Sequence, residues 1–116
     1  MFALTPTTRI YLAAGATDMR KGFSGLAALA GSVLEADPLS GHLFVFCNKE
    51  RTRLKVLFWD GSGLWVCAKR LERGTFRWPS VDGQRRSLTL TQAQLIQLVG
   101  GLDSQDFRRR NWWRNE

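Results

Sequence analysis

One tetrapeptide, DGSG at residues 60–63, most constrains how this chain can fold, because it separates two apolar segments of strand-like composition. Asp and Gly are typical of tight hairpin turns, since glycine adopts positive φ without steric cost. The flanking segments, 53–59 and 64–71, therefore predict an antiparallel hairpin. Two-residue and four-residue connections give the same register, in which Phe58 faces Trp65.

The register also distributes the hairpin's side chains between two faces. Successive residues of a strand point to opposite sides of a sheet, so Trp59 and Trp65 are predicted to lie on opposite faces. Trp65 shares its face with Val56 and Cys67, and we expect it in the core beneath the helices. Trp59 is expected to be more accessible and to offer a platform on which a base can stack.

The other face of the hairpin carries basic residues. Arg53 faces Arg70, and a second turn that closes in the same way places Arg77 beside Arg70. Lys55 and Arg51 lie along the same face, which we expect to be opposite the helices. Opposed like charges destabilise a bare sheet by roughly 0.2–1 kcal/mol per pair, so the row predicts a bound anion or carboxylates that reach in. The alternative is that the side chains splay into water, where screening removes most of the penalty.

Periodicity predicts the remaining elements. Alternation and turn residues indicate strands at 8–13, 43–47, 53–59, 64–71 and 76–78, and helical spacing indicates helices at about 18–36 and 91–100. The predicted fold class is α+β, a mostly antiparallel sheet of four to five strands with two helices packed on one face. The predicted order is β-α-β-β-β-β-α. Residues 1–106 are expected to form one domain, and residues 107–116 a flexible tail.

The second helix has a complete start signal. Thr91 and Gln94 form a capping box, in which each side chain bonds the backbone N–H of the other residue. Leu90 can pack against Leu95 as a hydrophobic staple. These signals predict that the helix begins directly after Thr91.

The first helix has a candidate cap at Asp18. That cap places Arg20 and Lys21 in the first turn of the helix. Free backbone N–H groups at a helix start favour an anion, and two cations add to that preference. We therefore predict a secondary phosphate contact at this position.

The charge balance points to anionic partners. Of 116 residues, 17 are Lys or Arg and 10 are Asp or Glu, which leaves a net charge of +7. Arginine predominates, and its planar guanidinium matches the oxygens of a phosphate. Residues 49–86 alone carry a net +6. A solvated basic face is the simplest interpretation, and a nucleic-acid surface is the functional one.

The residues that could carry catalysis are few. Two cysteines and one histidine cannot make a zinc finger or a Cys-rich secreted scaffold, and Cys47 and Cys67 are interpreted as small buried hydrophobes. Metal-dependent nucleases need two or three converging carboxylates, whereas Asp18, Asp60 and Glu72 fit a cap and two turns. The sequence predicts no catalytic residue, metal or cofactor, with a metal-dependent nuclease as the alternative.

The tail mixes arginine and tryptophan: Arg108, Arg109, Arg110, Trp112 and Trp113. Arginine seeks phosphate and indole rings stack on bases, so the tail is a candidate nucleic-acid contact. An anionic membrane surface and an inert chain end are the alternatives. No apolar run approaches the ~20 residues of a membrane span, so we expect no membrane partner and a cytoplasmic, nucleoid-associated location.

Three segments together resemble a known family. They are DMRKGF at 18–23, LKVLFWDGSGLW at 54–65 and KRLERGTFRWP at 69–79. In this order they resemble the TnpB accessory proteins of the insertion-sequence 66 family of bacterial mobile elements, and the likeness spans roughly residues 9–102. The resemblance implies a role in transposition beside a separate, larger transposase, and it supplies no catalytic residues.

Two functional hypotheses follow from the residues and the resemblance. The first is a non-catalytic accessory protein that binds DNA at the element ends through its basic sheet face and tail. The second is an adaptor that docks on the transposase of the same element without touching DNA. The sequence leaves the oligomeric state open.

Overall fold

The structure is a computed structural model that describes residues 4–80 and 83–100. Its elements, in chain order, are β1 (Ile10–Ala13), α1 (Phe23–Ser32), β2 (Leu43–Cys47), β3 (Arg53–Trp59), β4 (Leu64–Arg70), β5 (Ser87–Leu90) and α2 (Gln92–Gly100). The five strands form one sheet in the order β4-β3-β2-β1-β5. The predicted α+β class and the order of elements are confirmed.

The sheet combines one parallel pair with antiparallel neighbours. β1 and β2 run parallel, and α1 makes the crossover that a parallel connection requires. The other neighbouring strands are antiparallel. The register between β3 and β4 is the predicted one, with Phe58 opposite Trp65, Val56 opposite Cys67 and Arg53 opposite Arg70.

The two helices cover opposite faces of the sheet. α2 packs Leu95 and Leu98 against one face, and α1 packs Leu26 and Ala30 against the other. The prediction that both helices lie on one face is therefore wrong. The reason lies in β2, whose five side chains are all apolar and all buried, because a central strand that is apolar on both faces needs cover on both.

The fifth strand is not where the sequence predicted it. Residues 76–78 form a loop across the end of the sheet, where Phe76 is buried and its N–H donates to the carbonyl of Arg51 (2.7 Å). The indole of Trp78 donates to the carbonyl of Ala13 (3.0 Å). These contacts hold the loop without strand pairing. β5 is the fifth strand instead, and it pairs with β1 at the far edge.

α1 begins at Phe23, and the prediction that Asp18 begins it is wrong. Asp18 closes a turn, because its Oδ1 accepts the N–H of Arg20 (2.9 Å) and its carbonyl accepts the N–H of Lys21 (3.1 Å). Aspartate favours such side-chain-to-backbone turns. Arg20 and Lys21 therefore precede the helix. They do not lie in its first turn, where the predicted phosphate contact requires them.

α2 begins as predicted. The N–H of Thr91 donates to Oε1 of Gln94 (2.8 Å), and the N–H of Gln94 donates to Oγ1 of Thr91 (3.1 Å). Leu90 packs against the same core cluster as Leu95. The capping box is confirmed, and Leu90 and Leu95 belong to one cluster, as the predicted staple requires.

Trp65 is not a core residue, contrary to prediction. It alternates with Trp59 across the sheet as expected, but its side chain is 45% exposed, whereas Trp59 is half-buried. Trp65 stacks on Phe58 with ring centroids 6.1 Å apart, and its indole donates to Oδ2 of Asp60 (2.7 Å). The exposure follows from the position of β4 at the edge of the sheet.

Candidate nucleic-acid interface

The topology gathers basic residues at one end of the sheet. β1 and β2 end where β3 begins, β4 ends and β5 begins, as the pairs Ala13–Ser87 and Cys47–Leu54 require. Twelve of the thirteen Lys and Arg residues in the described ranges lie at this end or in the segments that adjoin it. We call this set the basic end: Arg20, Lys21, Lys49, Arg51, Arg53, Lys55, Lys69, Arg70, Arg73, Arg77, Arg85 and Arg86.

Acidic residues do not balance this charge. The described acids near the basic end are Asp18, Glu50 and Glu72, so its formal net charge is +9. The opposite end of the sheet holds Arg9 with the acids Glu35, Asp37 and Asp60, a net −2. The described molecule is therefore strongly polarised along its strands, which favours an oriented approach to a polyanion.

Arg53 and Arg70 form the pair that the hairpin register predicted. They are directly opposite on β3 and β4, and both are exposed. Glu72 lies 3.5 Å from the guanidinium of Arg70 and is itself largely exposed, so it offsets the repulsion only weakly. Arg77 does not extend this row as predicted, because residues 76–78 are not a strand beside β4.

Lys55 supports the fold at this end. Its Nζ donates to the carbonyls of Met19 and Lys21, at 2.8 Å each, and the residue is half-buried. The face that carries Lys55 is therefore covered by α1 and the segment before it. The predicted helix-free basic sheet face is wrong, because β2 also needs cover on this side.

Arg51 connects three loops at the same end. Its Nη2 lies 3.3 Å from the carbonyl of Ala14 and its Nη1 lies 3.4 Å from that of Asn48. The guanidinium also sits 5.2 Å from the ring centroid of Trp78, a cation–π contact. Arg51 has a φ of +60° and precedes β3, so it does not lie on the strand face where the sequence placed it.

Asn48 fixes the backbone between β2 and β3. Its Oδ1 accepts the N–H groups of Thr52 (2.9 Å) and Arg53 (3.1 Å), and its Nδ2 donates to Oγ1 of Thr52 (3.1 Å). These bonds fix the backbone at Arg53, from which its side chain projects. The sequence analysis missed this role, although an Asn in a short turn is a recognisable signal.

Asp18 and Arg20 form an exposed ion pair beside this loop. The guanidinium of Arg20 donates to both carboxylate oxygens, with Nη2 to Oδ2 at 2.7 Å. Arg20 lowers the pKa of the Asp18 carboxyl to about 2. Arg20 thus already has an anionic partner, whereas the exposed Lys21 next to it has no carboxylate contact among the described residues.

A shallow cleft of about 450 Å³ opens between these segments. It is lined on one side by residues 16–20 and on the other by the loop after β2 and by Arg53. Its walls carry three cations, Arg20, Lys49 and Arg53, against two acids, Asp18 and Glu50. The cleft is thus a polar groove within the basic end.

Five basic residues of this end were not predicted as site residues. Lys69 lies on β4, and the other four are exposed and lie in connecting segments: Lys49, Arg73, Arg85 and Arg86. Face alternation within strands cannot find these four, because they are outside strands. What these four residues share is that each lies in a connection that starts or finishes at the basic end of the sheet.

The predicted tail contacts lie outside the described residues. These are Arg108, Arg109, Arg110, Trp112 and Trp113. α2 runs back to the basic end, where Nζ of Lys69 donates to the carbonyl of Val99 (2.8 Å). The chain therefore enters residues 101–116 from the basic end.

Other site chemistry in the described ranges is limited. Within residues 4–80 and 83–100, no three His, Cys, Asp or Glu side chains are grouped to hold a metal ion. Cys47 is buried as predicted, and burial raises the pKa of its thiol, while Cys67 is only half-buried. Neither helix of the described residues is long and apolar enough to cross a bilayer.

The described residues thus form an α+β fold whose positive charge is concentrated at one end of the sheet. The family model described as IS66 Orf2-like protein matches residues 8–109, so the chain belongs to this family. The predicted family resemblance is confirmed. Membership associates the chain with transposition of insertion sequences as an accessory protein.

Two relatives from Sinorhizobium fredii are similar over most of their length. The uncharacterized protein y4hO is 44% identical over 82% of this chain and 81% of the relative. The uncharacterized protein y4jC is 43% identical over 88% of this chain and 86% of the relative. No solved structure matches the chain.

Proposed function

We propose that this transposition accessory protein binds DNA at the ends of its element, with the basic end against the phosphate backbone. The observation that carries the proposal is the charge distribution, twelve cations against three acids at one end of the described molecule. A cluster of this kind releases counterions from DNA when it replaces them at the phosphates.

The opposed pair Arg53 and Arg70 is the proposed centre of contact. Both are exposed, and a phosphate between the two guanidinium groups relieves their mutual repulsion while it accepts charge-assisted hydrogen bonds. Arg73 and Lys49 extend the proposed contact. Lys49 lies in the connection between β2 and β3, and Arg73 lies in the segment after β4. Contacts of this kind position a protein on DNA without reading its sequence.

Two basic residues whose side chains donate hydrogen bonds to backbone carbonyls have a supporting role in this proposal. Lys55 and Arg51 hold the loops of the basic end through backbone carbonyls, so their charges lie behind the proposed contact. The tail, with Arg108–Arg110 and Trp112–Trp113, is proposed to add phosphate and stacking contacts next to the end of α2. The protein supplies binding, and the separate transposase supplies the chemistry.

A comparison between the two ends of the molecule tests the proposal. The triple variant Arg53→Gln, Arg70→Gln, Arg73→Gln removes three exposed cations from the basic end, and Arg9→Gln removes one exposed cation from the opposite end. Fluorescence anisotropy with labelled element-end duplex should show a clear loss of affinity for the triple variant. Its slope of log affinity against log salt should fall by about three units, since each phosphate contact adds about 0.9. Arg9→Gln should bind like the parent.

The competing adaptor hypothesis predicts different results. An acidic patch on the transposase can also meet the basic end, and then the parent protein binds duplex DNA weakly and the triple variant loses transposase in a pull-down. Equal DNA affinity of the parent and the triple variant at moderate salt contradicts the DNA proposal. Binding of the transposase only when DNA is present favours a joint complex at the element end.

A further inference from the structure

β4 presents an open backbone edge. It is the outermost strand of the sheet, and no strand of residues 4–80 and 83–100 pairs with its outer side. The N–H of Asp60 donates to the carbonyl of Gly63 (3.1 Å), and the N–H of Leu71 donates to that of Thr52 (2.8 Å). Hydrogen bonding alternates along an antiparallel pair. From Leu64 to Arg70, the backbone N–H and C=O groups therefore point alternately away from β3 and toward it. Those that face outward belong to Leu64, Val66, Ala68 and Arg70.

This edge has little of the usual protection against pairing. Proteins block open edges with proline, bulges, charged side chains or very short strands, and of these β4 has only the charges of Lys69 and Arg70 at its last two positions. β4 has seven residues, its register with β3 runs unbroken over all of them, and its first five residues are uncharged. Trp65 adds a side chain that is 45% exposed. The far edge, β5, has only four residues.

We propose that β4 pairs antiparallel with β4 of a second copy of this chain, which joins two sheets into one continuous sheet of ten strands. Full overlap of the seven-residue strand has its two-fold axis at the central residue, Cys67. All outward N–H and C=O groups of both strands then find partners, Val66 with Ala68 and Leu64 with Arg70 of the other copy. This inference does not depend on DNA binding.

Charge complementarity selects the second copy in this orientation. Antiparallel pairing places the Arg70 end of β4, within the basic end, beside the Asp60 turn of the other copy, at the end with net −2. Parallel pairing brings the two basic ends together instead. In the antiparallel form the two Arg70 residues are separated by about 20 Å, six residues of strand, which weakens their repulsion.

Side-chain chemistry agrees with the same register. Lys69, whose Nζ donates to the carbonyl of Val99 in its own protomer, lies opposite Trp65 of the second copy on the α2 face. Val66 lies opposite Ala68 on the other face, an apolar pair. Cys67 faces itself across the axis at a non-hydrogen-bonded site, where Cα atoms are about 4.5 Å apart. That distance lies within the range a disulfide can span.

Edge variants test the pairing. Ala68→Pro removes an N–H that points outward, so it blocks the second copy and leaves the bonds to β3 in place. Ala68→Val is the matched control, because it keeps the N–H and favours strand structure. Sedimentation velocity at high salt without nucleic acid should show a dimer for the parent and for Ala68→Val, and a monomer for Ala68→Pro. Thermal melting of Ala68→Pro checks that it is folded.

Cross-linking of the otherwise unaltered chain gives a second, independent measurement. Copper-phenanthroline takes two electrons from two opposed Cys67 thiols, which lose two protons and form one disulfide bond. A covalent dimer should appear on a non-reducing gel and vanish in Cys67→Ala, since Cys47 is fully buried. A monomer at every concentration overturns the proposal, as does a dimer that Ala68→Pro leaves intact or a cross-link that survives Cys67→Ala. A monomeric chain that instead pairs this edge with the transposase overturns it too.

Discussion

Arg53 and Arg70 lie directly opposite each other on β3 and β4, and both are exposed at the end of the sheet where positive charge accumulates. The backbone places them there because the turn at 60–63 sets the register. Two guanidinium groups at facing positions repel each other in water and attract a shared anion. The arrangement is thus unfavourable for the isolated fold and favourable for a phosphate ligand.

Removal of one charge from this pair should separate folding from binding. Arg53→Gln is expected to leave the free energy of unfolding within about 0.5 kcal/mol of the parent, or to raise it slightly, because the repulsion falls. Its affinity for duplex DNA should drop, and the salt slope should shrink by about one unit. Urea denaturation and a salt titration measure the two effects. A large loss of stability with unchanged binding would reverse our assignment.

Lys55 should show the opposite behaviour. Lys55→Met keeps the length of the side chain and removes the bonds to the carbonyls of Met19 and Lys21. We expect a loss of about 1–3 kcal/mol in the free energy of unfolding, typical of hydrogen bonds from a charged donor in a half-buried site. Lys49→Met, at an exposed loop position, is the control and should be nearly neutral for stability. If both variants unfold alike, the supporting role of Lys55 is incorrect.

The Asp18–Arg20 ion pair should give stability a dependence on acid pH. The pKa of Asp18 is lowered to about 2 in the folded protein, below the value near 3.9 of an unfolded chain. Its contribution is therefore fully present above pH 4 and is lost as the pH falls toward 2. The melting temperature of Asp18→Asn should lie slightly below that of the parent at neutral pH, and the difference should close by about pH 2. The effect is small because both side chains are exposed. A difference that stays constant with pH would point to the turn geometry rather than the charge.

Local signals in this sequence predicted local structure well. The turn at 60–63 fixed the register of β3 and β4, and the Thr91–Gln94 capping box located the start of α2. Both depend on residues close together in the chain, whose preferences follow from backbone sterics and short hydrogen bonds. The family resemblance was also carried by contiguous segments.

Most of the errors concern contacts between distant segments. The start of α1 is the exception, because Asp18 closes a local turn with Arg20 and Lys21. Phe76 and Trp78 have residue types that favour a strand. They lie in a loop instead, because the Phe76 N–H bonds the Arg51 carbonyl and the Trp78 indole bonds the Ala13 carbonyl. The buried run of β2 signalled cover on both faces, which the sequence analysis did not use. For the site, strand alternation found Arg53 and Arg70 but not Arg85 and Arg86. Those residues join the basic end only because β5 pairs with β1.

Phe58 and Trp65 provide a direct test of the edge position of β4. Their rings stack nearly parallel, but Phe58 is 5% exposed and Trp65 is 45% exposed. Phe58→Ala should therefore cost about 3–5 kcal/mol in the free energy of unfolding, as core aromatic truncations do. Trp65→Ala should cost only about 1–2 kcal/mol, because roughly half of its apolar area is already in water. Trp65→Phe keeps the stacked ring and loses the hydrogen bond to Asp60, so it should fall between Trp65→Ala and the parent. Chemical denaturation of the three variants in the Ala68→Pro background, where β4 is unpaired, measures the order. Equal losses for Phe58→Ala and Trp65→Ala would mean that Trp65 is buried even without a second copy.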